Sequence, residues 1–203
     1  MSSSVPRVAV LFSGGKDSAL AAVLLEPFYG VTLVTCGFGV TDGPAHAREA
    51  ARAVGFDHEV VTIPREAAES AVDRLLEDGY PNGAIQSVHE MALGRVASGD
   101  PEWDAVADGT RRDDRTPSVP RSLAQSLEDR HGVDHVAPLA GYGRRAVDAL
   151  VGRHLRVETG PSEAVAKGDY ETALRALLRE RAGREAVEAA FPEHTQSRVV
   201  GRR

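Results

Sequence analysis

The sequence predicts an α/β fold, with a doubly wound, parallel sheet of five strands followed by a helical C-terminal extension. Two observations predict it. Through residues 8–137, short apolar runs rich in β-branched side chains alternate with amphipathic stretches at helical spacing, the pattern of βαβ units whose helices cover both sheet faces. After Pro138 the alternation stops and helical spacing dominates. The expected division is therefore a domain at 1–140 and an extension at 141–203.

Val8 to Phe12 is an unbroken apolar run between Pro6 and a glycine pair, which reads as a central strand buried on both faces. Asp17 to Glu26 carries alanine and leucine at helical spacing and stops before Pro27. Val31 to Phe38 and His58 to Ile63 read as the second and third strands, with Ala45 to Val54 as the helix between them. Arg65 to Glu77 and Ala84 to Ala97 read as helices separated by Asp78-Gly79-Tyr80-Pro81-Asn82-Gly83, a cluster of turn formers. Trp103 to Ala107 is the expected fourth strand, Val119 to Arg130 a helix, and Val133 to Ala137 the fifth strand. The extension reads as a helix at Arg144 to His154, an extended piece at Leu155 to Glu158, and helices at Tyr170 to Arg181 and Arg184 to Phe191.

Composition excludes several classes. The 203 residues include 42% hydrophobic and 27% charged side chains, a globular mixture. No apolar run approaches the about 20 residues needed to cross a bilayer, and Met1 to Pro6 lack the layout of a secretory leader, so a cytoplasmic protein with no membrane partner is expected. A single cysteine, Cys36, rules out an intrachain disulfide and any site needing several thiolates. Within an apolar strand it reads as a small hydrophobe. Only Lys16 and Lys167 among the 24 basic residues are lysine. Residues 1–140 hold 12 basic and 21 acidic side chains, whereas residues 141–203 hold 12 basic and 9 acidic ones. The cationic tail suits an anionic partner such as RNA, although arginines along amphipathic helices usually form solvated faces.

The most informative segment is Ser13-Gly14-Gly15-Lys16-Asp17-Ser18, between the first strand and first helix. Its glycines let backbone approach a ligand closely, and the helix start adds unpaired N–H groups and a positive dipole end. Ser13 and Ser18 supply hydroxyls and Lys16 a charge, so the turn suits a pyrophosphate. It is neither the GxxxxGK[ST] loop nor the GxGxxG fingerprint. SGGKDS resembles the PP-loop of the N-type ATP pyrophosphatases, which implies a HUP/Rossmann-like, adenine nucleotide alpha hydrolase-like fold and conversion of ATP to AMP and pyrophosphate.

Ala107 to Arg115 (ADGTRRDDR) follows the expected fourth strand and looks like the DGT-x-x-D-D loop of several members of that superfamily. In a doubly wound sheet both loops face the crevice where strand order reverses. The resemblance implies nucleotide binding by Ser13, Gly14, Gly15, Lys16, Ser18, Asp108, Gly109 and Thr110. It places the adenine near Gly37, Phe38 and Gly39. Lys16, Asp17, Ser18 and Asp114 are the implied catalytic residues, because donors and a cation beside the departing pyrophosphate stabilise the transition state most. Asp17, Asp113 and Asp114 are oxygen ligands of the type Mg²⁺ prefers beside phosphates.

Tyr80 to Gln86, Ser126 to Arg130 and Pro138 to Arg144 extend the likeness to an archaeal group of stand-alone PP-loop proteins often labelled tRNA thiouridylate-related. That resemblance implies ATP and Mg²⁺ as cofactors. It also implies a tRNA base or another small molecule as acceptor, with sulfur or nitrogen as nucleophile. Two other readings stay open, an ATP- or AMP-binding sensor without turnover and a diphthamide-type amide ligase. Assembly is open too, a homodimer included. His89 and Glu90 read as a helix-surface pair. Arg111, Arg112, Arg115, Arg144 and Arg145 suit either phosphate or salt bridges. His194 to Arg198 reads as a loose tail, with a return to the site as the alternative.

Overall fold

In the first strand, β1 (Arg7–Leu11), Val8 and Val10 belong to one apolar layer and Ala9 and Leu11 to the other. Alternate residues of a strand face opposite ways, so burial of all four requires packing on both faces. The computed structural model, which describes residues 5–99 and 103–203, shows how that cover is built. Met1 to Ser4, part of the segment read above for a leader, lie outside the described residues.

β1 pairs in parallel with β2 (Gly30–Gly37) on one side and β4 (Ala105–Ala107) on the other. With β3 (Asp57–Thr62) and β5 (Asp134–Val136) the five-stranded order is β3-β2-β1-β4-β5, all parallel. The expected doubly wound sheet is thus present. On one face lie α1 (Lys16–Leu25), α2 (Gly43–Val54) and α6 (Arg144–His154). On the other lie α3 (Arg65–Asp78), α4 (Asn82–Ala97), α5 (Arg121–His131) and α7 (Tyr170–Ala190). In α1 and α2 the buried face is largely alanine: Ala19, Ala21, Ala22, Ala47, Ala50 and Ala51 are fully enclosed. Small side chains let both helices pack closely over β1 and β2.

Element boundaries differ from expectation by a few residues at most through β5, and α6 matches at both ends. The two helices expected at the end of the chain are present as the two arms of α7, separated at Gly183, whose φ of 83° breaks the helix.

The extension departs from expectation in one respect. Leu155–Pro161 is a full strand, β6, and the presumed loose tail is another, β7 (Thr195–Arg202), paired antiparallel in a separate two-stranded sheet. The ribbon lies on the α2 side, where Val199 and Leu155 are buried. Arg202 bonds the Val54 carbonyl at 2.6 Å, pairs with Glu26 at 2.7 Å and covers the Phe56 ring at 4.3 Å, while Arg198 meets Glu49 at 2.7 Å. The partners are separated by all of α7, so no local pattern announced their pairing. No described helix is long and apolar enough to cross a membrane.

Candidate functional site

Strand order reverses between β1 and β4, and the loops that follow these strands meet there. A β-carbon on Gly109 would stand 2.6 Å from the Ser18 amide nitrogen, so the two backbones touch. Between and above them opens a cavity of about 750 Å³, lined among others by Ser13, Gly15, Lys16, Ser18, Thr110 and Arg111. Its size suits a nucleotide, and its place is where open α/β sheets bind ligands.

Gly14 makes the turn with φ of 82°, a conformation a side chain would strain. Ladder bonding in α1 begins with Ala19 N–H donating to the Gly15 carbonyl at 3.2 Å. The amides of Lys16, Asp17 and Ser18 come before it, at the helix end that favours an anion. Gly15 N–H donates to Ser13 Oγ at 3.3 Å, and Ser18 Oγ donates to the Gly15 carbonyl at 3.3 Å. From behind, Val199 N–H donates to the Gly14 carbonyl and Gly168 N–H to the Ser13 carbonyl, each at 2.9 Å. The loop's carbonyls are therefore turned into the protein by the C-terminal segment. This polar, glycine-backed cradle fits the phosphates of ATP.

Lys16 Nζ lies 2.9 Å from both Asp17 and Asp148, the latter on α6. Asp17, Asp113 and Asp114 do come together, but around the guanidinium of Arg111. Its atoms lie 3.7 Å from Asp17, 3.7 Å from Asp113, and in direct contact with Asp114. Asp113 also accepts the Arg144 amide at 2.9 Å, which holds its carboxyl below the usual range. Among the described residues no three His, Cys, Asp or Glu side chains form a set able to hold a metal ion. In this arrangement the three carboxylates share Arg111, whose single positive charge offsets one of their three.

Asp108 has almost no exposed surface. Oδ1 accepts from the Thr110 amide and hydroxyl, and Oδ2 from His135 at 3.1 Å and His89 at 3.4 Å. Burial opposes its ionisation, yet the bonds from His135 and His89 outweigh it and hold the carboxyl well below the usual range. The group shapes the loop after β4 from beneath. His89, expected on a helix surface, is buried here and edges the Tyr170 ring, whereas Glu90 is exposed and bonds Gln86.

The three residues expected at the adenine are not brought into the cavity. A β-carbon on Gly37 would strike Pro44 at 2.8 Å, and Gly43 beside it packs on Gly168. Phe38 is buried in the layer under α3. At β2 the cavity wall is formed instead by Val34 and Cys36. Burial pushes the Cys36 thiol up to about 12, so at neutral pH it is a neutral, apolar-like group.

The sequence motifs beyond the loop fold around it. Gln86 bonds both the amide and the carbonyl of Ser118, tying α4 to the stretch after Arg115. Arg112 N–H donates to the Tyr142 carbonyl at 3.1 Å, which clips Pro138–Arg144 to the acidic loop. The wall residues without a sequence assignment include Asp148, Lys167 and Tyr170, and His135 on Asp108 has none either. Only Lys167 had a signal, as the second lysine in an arginine-rich chain. Thr195, Gln196 and Ser197 of β7 also line the cavity, so the tail does return to the site.

A family model described as Family of unknown function (DUF7411) matches residues 7–201. The chain belongs to that family. This DUF7411 member is 43% identical over 195 residues to Uncharacterized protein MJ0690 of Methanocaldococcus jannaschii, covering 96% of this chain and 95% of that one. A crystal structure from the same species, described as a predicted subunit of tRNA methyltransferase, matches with a TM-score of 0.88 at 41% identity over 98% of each chain. The tRNA-specific 2-thiouridylase MnmA of Syntrophomonas wolfei is 29% identical over 195 residues, spanning 83% of the DUF7411 chain but 58% of that enzyme. These likenesses run to the tRNA thiouridylase-like PP-loop ATP pyrophosphatase superfamily, as the SGGKDS segment implied.

Proposed function

We propose that this protein binds ATP and cleaves it between the α- and β-phosphates, adenylating an acceptor and releasing pyrophosphate. One observation carries the reading: the start of α1, behind Gly14 and Gly15, opens on a nucleotide-sized cavity against the loop after β4. Phosphate oxygens placed there would meet the amides of Lys16, Asp17 and Ser18, with Ser13, whose Oγ accepts from Gly15 N–H, offering its hydroxyl proton. Attack at the α-phosphorus moves charge onto the departing pyrophosphate. Groups set in advance to receive that charge lower the barrier. Lys16 and Arg111 supply positive charge at the same cavity. Asp17, Asp114 and Asp148 orient those two cations.

The acceptor we propose is a tRNA base, supported by the likeness to a tRNA-specific 2-thiouridylase and to a predicted tRNA methyltransferase subunit. Cys36 is a poor sulfur carrier in this setting. A buried thiol whose pKa stands at about 12 has no thiolate to offer. If the product is a thiolated base, the sulfur arrives on a separate donor; a nitrogen nucleophile would need none.

ATP labelled at the α- or γ-phosphate, incubated with the protein with and without tRNA, tests the reading. AMP and labelled pyrophosphate are expected, with tRNA accelerating their release. ADP and orthophosphate would overturn the assignment. Binding and release of intact ATP in every condition would make the protein a sensor instead.

A further inference from the structure

The two lysines of the chain, Lys16 and Lys167, both stand at the phosphate loop. Lys167 belongs to the segment between β6 and α7, which is fastened hard against the loop. Gly168 N–H donates to the Ser13 carbonyl at 2.9 Å. A β-carbon on Gly168 would lie 2.8 Å from the Gly43 carbonyl oxygen and 2.9 Å from Ala47 Cβ, so the crossing admits no side chain. This places Lys167 Nζ 3.5 Å from where a Gly15 β-carbon would be.

The ammonium group is mostly enclosed, with its side chain 13% exposed, and it forms an ion pair with Asp169 at 3.3 Å. Asp169 is held in turn, because it caps α7 by accepting from the Thr172 amide at 3.0 Å and hydroxyl at 2.7 Å. An ammonium has three donors, and enclosing a charge costs stability unless its donors are used. The Thr172 bonds would cap α7 without any lysine. The lysine side chain faces the cavity beside Gly15, where polar partners for its remaining donors would come from a ligand. Lys16 meanwhile is drawn toward Asp148 on α6, so the two cations come to the loop from different elements.

We propose that Lys167 is a second polyphosphate-binding residue of this site, supplied by the C-terminal segment rather than by the loop. The inference rests on the ATP reading above and extends it to a residue outside the SGGKDS segment. It makes the extension part of the phosphate site.

Calorimetric titration of the full chain with inorganic pyrophosphate, ATP and AMP tests it, using wild type, Lys167→Met and Lys167→Arg, each with a thermal unfolding scan. Wild type is expected to bind all three. Lys167→Met should weaken pyrophosphate and ATP by about tenfold or more, as loss of one charge-assisted bond implies, and AMP less. Lys167→Arg should recover much of the loss. Wild-type affinity for pyrophosphate in Lys167→Met would overturn the inference and leave the ATP reading standing. So would equal losses for pyrophosphate and AMP accompanied by a lowered unfolding temperature in both variants, the mark of a purely structural ion pair. Wild type that binds neither ATP nor pyrophosphate would overturn the ATP reading, and this inference with it.

Discussion

Gly109 lies against Ser18 so tightly that a β-carbon on the glycine would sit 2.6 Å from the serine nitrogen and 2.9 Å from its α-carbon. Backbone meets backbone here, and neither partner has a flexible end that could swing away. Gly109→Ala must push the start of α1 from the loop after β4. The expected cost is about 1–3 kcal/mol of stability, the range for overpacking a close-fitted site, with weakened ATP binding because the displaced amides are those of the phosphate loop. Urea unfolding and nucleotide titration check both effects. An alanine variant as stable as wild type and binding ATP equally would show that the contact does not shape the site.

The His58 ring ties β3 to β2 and β1 just below that loop. Thr35 Oγ1 donates to the Phe12 carbonyl at 2.7 Å, so the 2.8 Å contact with His58 Nε2 is one in which the ring N–H donates to the hydroxyl. Nδ1 is then a buried acceptor without a partner among the described residues. Burial, with Arg48 nearby, lowers the His58 pKa from 6.5 to about 4. The unfolded chain thus takes up a proton near 6.5 while the folded protein resists until about 4. Stability from this group is full above the higher value and declines as pH falls between the two. Asp108 and Asp169, held below 3.8, lose their contribution only at more acidic pH. In chemical denaturation across this range, His58→Gln, which keeps an N–H donor but does not titrate, should flatten the upper decline. An unchanged slope would mean that another group is responsible.

Cys36 borders the cavity yet is 6% exposed, and its pKa stands at about 12. The folded protein should therefore resist thiol reagents at pH 8 and react fully once unfolded. Mass spectrometry of alkylated samples, native and in denaturant, reads the difference. Rapid labelling of the native protein would place a thiolate at the site and revive a sulfur-carrying role for this residue.

Val199 N–H holds the Gly14 carbonyl at 2.9 Å, and the side chain is fully buried. Val199→Pro removes that donor, and Val199→Ala keeps it while giving up two buried methyl groups. Both should lose stability, the alanine variant by about 1–2 kcal/mol as deleted methyl groups usually cost. Only proline should also disturb the loop, which ATP titration would register as a larger fall in affinity than alanine produces. Equal affinities in the two variants would separate β7 from the phosphate site.

The five-stranded core was legible because its signals are local. Val8 to Leu11 must be buried on both faces whatever surrounds them, and Gly14-Gly15 before a helix start shapes a tight turn from adjacent residues alone. Asp108, by contrast, was recognised but not understood. Its neighbours His89 and His135 lie 19 and 27 residues away, and nothing in their flanking sequence says that they meet on one carboxylate. The placing of Pro44 against Gly37 and the crossing of Gly168 over Gly43 were illegible for a similar reason, since both are tertiary facts.

By itself, then, the sequence determined the order of strands and helices through β5 and the character of the turn at Ser13 to Ser18, because hydrophobic period and glycine conformation act over a few residues. The tertiary structure alone decided which distant groups share that turn. It closed three aspartates around Arg111. It folded Thr195–Arg202 into a strand behind Gly14 and brought Lys167 beside Gly15. Such pairings depend on which surfaces are left to bury once the sheet has formed, and that is a property of the packed whole.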